Sequence, residues 1–463
     1  MQERTGHPPG LRKFLWGVAT SAFQMEGASR CDWTHWNVRD EDDRRARLNG
    51  VGHLSRTGED LALLPELGVN AYRFSVEWSR VAPRRGEWDR KAMDRYVRIA
   101  ATLREAGIEP VVTLHHFTNP SWLAKGASWE DPSTVEEFLR FAERAVRSLR
   151  GHARVFITFN EPNVFIVGGY LGGIMPPGRK SIKGSFAAFA NVFRVGGYLG
   201  GIMPPGRKSI KGSFAAFANV FRAHAALYDM IHAEGRERTS VGVAHNMVAF
   251  HPASEGSTMD RWAVKVAHAV YNMGLIETFR TGLLSVRLPF LLEEETAVGV
   301  RDKLDFLGVN YYFRMFLRLS PLNMRGPEYY WEDREKRGLT ETGWEVYPKG
   351  FEDMLRAAAL AGVPLVVTEN GAAETDDRRK IAFMKVHLRV VLRLIREGVD
   401  LRGYFWWSLM DNYEWLEGLR PRFGLYRVDF DTLERTPTAS SAWFARWVKR
   451  RRALEGTGGS RRP

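Results

Sequence analysis

The stretches "VFITFNE" (155–161) and "PLVVTEN" (364–370) share one form: an apolar run that ends in Asn and Glu. Near-continuous apolar runs are what strands of a parallel sheet require when both faces are covered. Six further runs have the same character: "FLWGVAT" (14–20), "AYRFSV" (71–76), "PVVTLHH" (110–116), "SVGVAHNMV" (240–248), "FLGVNYY" (306–312) and "GYFWWSL" (403–409). Amphipathic stretches separate them, among them "EDLALLPELG" (59–68), "DRKAMDRYVRIAATLREAG" (89–107) and "TVEEFLRFAERAVRSLRG" (134–151). Each of the three closes on the glycine that a helix stop favours. Eight alternations of strand and helix with no low-complexity linker predict an α/β fold, a single (β/α)8 TIM barrel spanning 1–463. A doubly wound sheet is the alternative, but no G-x-G-x-x-G follows the first strand.

Composition narrows the function. The chain has 463 residues, 44% of them hydrophobic, which is ordinary for a folded globular protein. Its 15 tryptophans suit either a large core or a site that stacks flat apolar faces. The net charge of +13 comes from dispersed arginines, apart from short runs such as Arg44-Arg45-Ala46-Arg47 and Lys449-Arg450-Arg451-Arg452. Scattered Arg is the pattern of a solvated surface, so no nucleic-acid partner is expected. No run approaches a membrane span and the N-terminus lacks an apolar signal core, so a cytoplasmic location and no membrane partner are expected. Cys31 is the sole cysteine, which leaves no disulfide. His115 and His116 are adjacent on a strand and point to opposite faces, and H-E-x-x-H is absent, so no metal and no cofactor are expected.

In a barrel, chemistry gathers where the strands end. The strand ends here carry Gln24, Arg73, His116, Asn160-Glu161, Asn246, Asn310-Tyr312, Glu369-Asn370, and Trp407 with Glu414. Glu161 and Glu369 are far apart in sequence yet face one mouth. A carboxylate near a core is costly, and two of them need a reason. Two facing carboxyls are the minimum equipment for cleaving a glycosidic bond: one protonates the leaving oxygen, the other attacks the anomeric carbon or activates water. The sequence pattern alone leaves open which does which.

The motifs "FLWGVATSAFQMEG", "NAYRFSVEWSR", "TLHHF", "TFNEP", "LGVNYY", "GWEVYPKG", "VVTENG" and "WSLMDNYEW", followed by "RFGL", resemble the family 1 glycoside hydrolases, the β-glucosidase family, over nearly the whole chain. The resemblance implies a retaining β-glycosidase in which Glu161 is the acid/base and Glu369 the nucleophile. It implies that Arg73, Asn310 and Tyr312 lie against the nucleophile. Gln24, His116, Asn160, Trp407, Glu414 and Trp415 match positions that hold the sugar, Trp344 matches the leaving-group platform, and Phe423 of "RFGL" is a further expected substrate contact. The expected partners are small β-glycosides or oligosaccharides. The family's 6-phosphoglycosidases carry Ser in place of Glu414, so unphosphorylated sugars are expected; its thioglucosidases lack the acid/base, so O-glycosides are expected. "HHFTNP" departs from the commoner "HWDLP" form, with Phe117 at the usual Trp. A barrel that binds carbohydrate without cleaving it is the competing reading, and two intact carboxyls count against it.

One feature stands outside this pattern. Residues 167–194, "VGGYLGGIMPPGRKSIKGSFAAFANVFR", recur without change as 195–222. A solenoid needs three or more units, so two copies inside one barrel segment form an insertion. The chain after Glu161 is expected to use the start of the first copy. The helix running into "AHAALYDMIHAEG" is expected to use the end of the second, with Phe214, Phe217, Phe221 and Tyr228 on one stripe. The surplus would loop out between about 175 and 212, exposing Phe186, Phe189 and Phe193 and offering a route to self-association.

Overall fold

The apolar runs fold as eight strands: β1 Leu15–Ala19, β2 Ala71–Ser75, β3 Glu109–His115, β4 Val155–Asn160, β5 Ser240–Asn246, β6 Phe306–Tyr311, β7 Leu365–Asn370 and β8 Leu401–Trp407. They close a parallel barrel in the order β1-β8-β7-β6-β5-β4-β3-β2. The structure, a computed structural model, describes residues 8–124, 126, 128–171, 210–233, 239–288, 292–319 and 328–456.

Alternation along each strand divides the core in two. Leu15, Val111, Val155, Ile157, Phe306, Val366 and Phe405 pack together inside the barrel. Trp16, Val18, Val112, Leu114 and Phe156 pack outward against the helices. Gly17 is required by this filling, because a Cβ there would stand 2.4 Å from the Phe405 ring. The covering helices present matching stripes. In Arg90–Glu105 the buried side chains are Ala92, Met93, Tyr96, Ile99, Ala100 and Leu103, a 3–4 spacing that faces one side. That helix begins where the Asp89 carboxylate accepts from the Ala92 amide at 2.9 Å, satisfying an end donor that has no helical partner.

Two strands depart from the sequence reading by more than one residue at an end. The eighth strand begins at Leu401, which pairs with Leu365, and ends at Trp407 rather than 409. The fifth ends at Asn246 rather than 248. Beyond it, Ala249–Pro252 joins Arg314–Arg318 and Glu328–Tyr330 in a small sheet outside the barrel.

Around the tandem copies, Pro162–Ile166 is helical just before the first copy and Val167–Leu171 at its start. The helix Ile210–Ala233 carries the end of the second. On it Phe221 and Tyr228 are buried and Phe214 and Phe217 pack half-buried against the core. The expected surplus loop, with Phe186, Phe189 and Phe193, falls mainly outside the described residues. Among the described residues no helix is long and apolar enough to cross a membrane.

Candidate active site

Both carboxyl-bearing strand ends are irregular. The β4–β5 register shifts between Ile157 and Asn160, and the β7–β6 register shifts between Val367 and Glu369. Such shifts re-aim side chains at the rim of a barrel. After the second shift, Glu369 pairs with Asn310, and Asn310 pairs with Asn246. Three polar side chains thus stand side by side across neighbouring strands. Glu161 turns inward by a different device: its backbone is left-handed, φ 45° and ψ 57°, and Pro162 starts the next helix. A non-glycine residue held there costs about 1–3 kcal/mol, and its amide remains tied to the Ala244 carbonyl at 2.7 Å.

The two carboxyls have different surroundings. Arg73 is fully buried and donates to Glu369 Oε1 at 2.6 Å, to the Thr368 carbonyl at 3.1 Å and to Asn160 Oδ1 at 2.6 Å. Its Nε donates to Thr113 at 3.1 Å. Tyr312 donates its hydroxyl to Glu369 Oε2 at 2.6 Å. Among the described residues Glu161 has no ion pair; Asn310 and Asn246 donate to its Oε1 at 2.8 and 3.0 Å. Tyr271 in turn donates to Asn246 Oδ1 at 2.8 Å, and Thr368 donates to Asn310 Oδ1 at 2.6 Å.

These contacts set the protonation states. Burial raises the Glu161 pKa to about 8, reinforced by the nearby Glu369 charge. Burial also raises Glu369, but Arg73, Tyr312 and Asn310 all oppose it. Glu369 is therefore the better placed to be ionised and Glu161 to hold a proton, the division of labour that one acid and one nucleophile need.

A polar cradle adjoins them. Gln24 donates to the Tyr413 carbonyl at 2.7 Å, to Asn412 at 3.1 Å and to Glu414 Oε2 at 3.2 Å, and accepts from Ser21 at 2.6 Å. Burial raises Glu414 to about 8, with the Glu369 charge adding to it and the Trp407 and Gln24 side chains opposing. Asn160 Oδ1 accepts from Arg73 and Asn310, so its amide donates to His116 Nε2, 3.1 Å away. Burial holds His116 neutral, which puts its proton on Nδ1, a buried donor with no protein partner. His116 and Trp415 stack at 6.0 Å with 14° between planes. Tyr312, Trp344 and Phe423 form the opposite wall, with ring centroids 5.5–6.1 Å apart.

All of this opens on one cavity of about 840 Å³, part of it continuous with solvent, into which Glu161, Glu369, His116, Asn160, Tyr312, Trp344, Trp407, Glu414, Trp415 and Phe423 project. Arg73, Asn310 and Gln24 stand behind that surface and hold it. Every site residue expected from the sequence is therefore part of one assembly, although Asn310 bonds directly to Glu161 as well as acting on Glu369. Phe117, the departure from the commoner form, also lines the cavity, edge-on to Trp415 at 5.0 Å. Asn246, whose position at a strand end marks it, and Tyr271, which no sequence signal marks, complete the surroundings of Glu161. Among the described residues no group of three or more His, Cys, Asp or Glu side chains could hold a metal ion.

The sequence model of glycosyl hydrolase family 1 matches residues 11–196 and 189–453, and the break falls at the tandem copies. Beta-glucosidase 47 of Arabidopsis thaliana is 32% identical over 98% of the chain and 87% of its own length. Beta-glucosidase A of Thermotoga maritima is 31% identical over 94% of the chain and 97% of its own length. Among solved structures, a β-glycosidase from Pyrococcus horikoshii superposes with a TM-score of 0.79 at 33% identity, covering 95% of this chain and 94% of that one.

Proposed function

The chain belongs to glycosyl hydrolase family 1, and on that premise we propose that it is a retaining β-glycosidase. It is a glycosidase acting on O-glycosyl compounds; the retaining course, the sugar and the residue roles are our reading. Glu369 attacks the anomeric carbon while Glu161 delivers its proton to the glycosidic oxygen, and the leaving group departs as an alcohol. Glu161, now ionised, takes a proton from water, whose oxygen displaces Glu369 and releases the sugar with its original configuration.

One observation carries this reading: Arg73 and Tyr312 each approach Glu369 to 2.6 Å, while the hydrogen bonds to Glu161 from the described residues come from the amides of Asn310 and Asn246. Attack needs an ionised nucleophile and departure needs a proton donor, and the two environments supply one of each. The attacking carboxylate transfers its charge to the new bond. Arg73 and Tyr312 then stabilise that charge again as the glycosyl-enzyme breaks down.

The substrates we propose are terminal, unphosphorylated β-D-glycosides, glucosides foremost, with galactosides and fucosides also accepted. Gln24, His116, Asn160 and Glu414 offer the paired donors and acceptors that sugar hydroxyls require, and Trp407 and Trp415 offer faces for its C–H surface. No Lys or Arg is among the described residues lining the cavity, so a phosphorylated sugar would bring its charge to a site already holding three carboxyl groups. The reading is tested by proton NMR of the sugar first released from a β-glucoside. Release of the β-anomer supports it, and initial α-anomer refutes the retaining course.

A further inference from the structure

Beside the polar cradle the cavity is lined by Val164, Phe313, Trp331, Trp344 and Leu416, of which Phe313, Trp331 and Leu416 are half-buried and so reach the surface. Phe313 follows Tyr312 directly. Trp331 arrives by another route: Arg314–Arg318 and Glu328–Tyr330 form an antiparallel pair with Phe316 opposite Tyr330, and the strand return brings the Trp331 ring edge-on to Phe313 at 5.9 Å. Phe313 lies 4.7 Å from Trp344 on its other side. The three rings make one wall.

That wall is held from behind. Arg314 and Glu345, the chain neighbours of Phe313 and Trp344, form a buried two-bond ion pair with Nε–Oε2 at 2.6 Å. A planar guanidinium matched to a carboxylate fixes both segments in relative position. The Trp331 indole nitrogen is buried and unpartnered, so the ring shows the cavity its carbon face. Two polar side chains that also line the cavity, Asn246 and Tyr271, bond to each other. Asn246 donates to Glu161 and accepts from Tyr271, whose hydroxyl is thereby used.

We infer that Phe313 and Trp331 determine leaving-group specificity, selecting β-glycosides whose aglycone is apolar, alkyl or aryl, over those whose leaving group is a second sugar. This rests on the glycosidase reading and specifies its substrate class. A sugar against this wall would present several hydroxyls to side chains that face it with carbon, the Trp331 nitrogen being buried, and stripping such groups of water without partners disfavours binding. An alkyl chain or an aromatic ring loses only apolar contact with water there. Burial of two or three methylene groups is enough for at least about a tenfold preference.

Sulfur-linked analogues, which resist hydrolysis, separate binding from chemistry. Calorimetry on the full chain would compare octyl 1-thio-β-D-glucoside below its micellar concentration, methyl 1-thio-β-D-glucoside and thio-linked cellobiose. The octyl compound is expected to bind at least about tenfold more tightly than either. Phe313→Ala with Trp331→Ala should abolish that advantage and leave the methyl compound within about twofold, while Trp331→Phe, which keeps an apolar ring, should retain most of it. Equal binding of the cellobiose analogue would overturn the inference, as would an octyl advantage that survives the double variant. So would a loss common to all three ligands, which marks a structural role. Turnover of octyl β-glucoside is measured in parallel. Selective binding without turnover refutes the glycosidase reading and leaves the wall standing; turnover with unselective binding does the reverse. Octanol is a poorer leaving group than a sugar hydroxyl, so a faster octyl substrate owes nothing to leaving-group acidity.

Discussion

Replacing Glu369 with Gln should lower the pKa of Glu161, because it removes a neighbouring negative charge. Glu161 stands at about 8, with burial the larger cause and the Glu369 charge the second. Two carboxyls of a retaining pair lie about 5 to 5.5 Å apart. At an effective dielectric constant of about 20 their repulsion is about 3 kcal/mol, equivalent to about 2 in pKa. Glu369→Gln removes that repulsion and also frees the Arg73 charge to act on Glu161. Glu161 should then titrate near 6 or slightly below, still above an ordinary glutamate because its burial is unchanged. Carbon-13 NMR of glutamate-labelled protein, with Glu161→Gln to assign the signal, reads the titration directly. An unchanged midpoint in Glu369→Gln would refute the coupling. A midpoint below about 5 in the unaltered protein would refute the protonated Glu161 itself.

Other consequences are open to simpler assays. The kcat/KM of the unaltered enzyme should fall as pH rises through about 8, because the proton on Glu161 is lost there; a flat profile to pH 9 would contradict this. Asn246→Ala removes a donor that favours ionised Glu161, so the alkaline fall should move to higher pH, as a pH–rate series would record. Tyr312→Phe removes a 2.6 Å bond to Glu369; such charged hydrogen bonds contribute about 1.5–3 kcal/mol, so kcat should drop about 10- to 150-fold with the melting temperature little changed. Deleting 195–222 leaves residues 182–194 to supply the same helix sequence as 210–222; activity should be kept or raised and any self-association on a sizing column reduced.

The barrel was legible because each strand is short, apolar and closed by a turn signal, and because Glu161 and Glu369 end their strands. Spacing alone could not show that Glu161 adopts a left-handed backbone or that a register shift sets Glu369 beside Asn310. Both depend on neighbouring strands. The contrast between the carboxyls was likewise hidden, since it comes from Arg73 on the second strand reaching across the barrel to the seventh. Tyr271 lies in the π-helical turn His268–Met273, outside any strand end, and nothing in its local sequence distinguishes it from a core tyrosine. The eighth strand was placed two residues late because Arg402 interrupts the apolar run, although its backbone still joins the ladder. Trp331 owes its place to a strand return outside the barrel, where no alternation of strand and helix marks it.

The double displacement proposed for this chain requires a covalent bond between Glu369 and the sugar. A 2-deoxy-2-fluoro-β-glucoside with an activated leaving group slows both steps but slows breakdown of the intermediate more, so the glycosyl-enzyme accumulates and can be digested and weighed. A single 2-fluoroglucosyl group on the peptide containing Glu369, absent from Glu369→Gln, is the expected result. Turnover of the parent β-glucoside with no labelled peptide, or with the label on Glu161, would contradict the assignment.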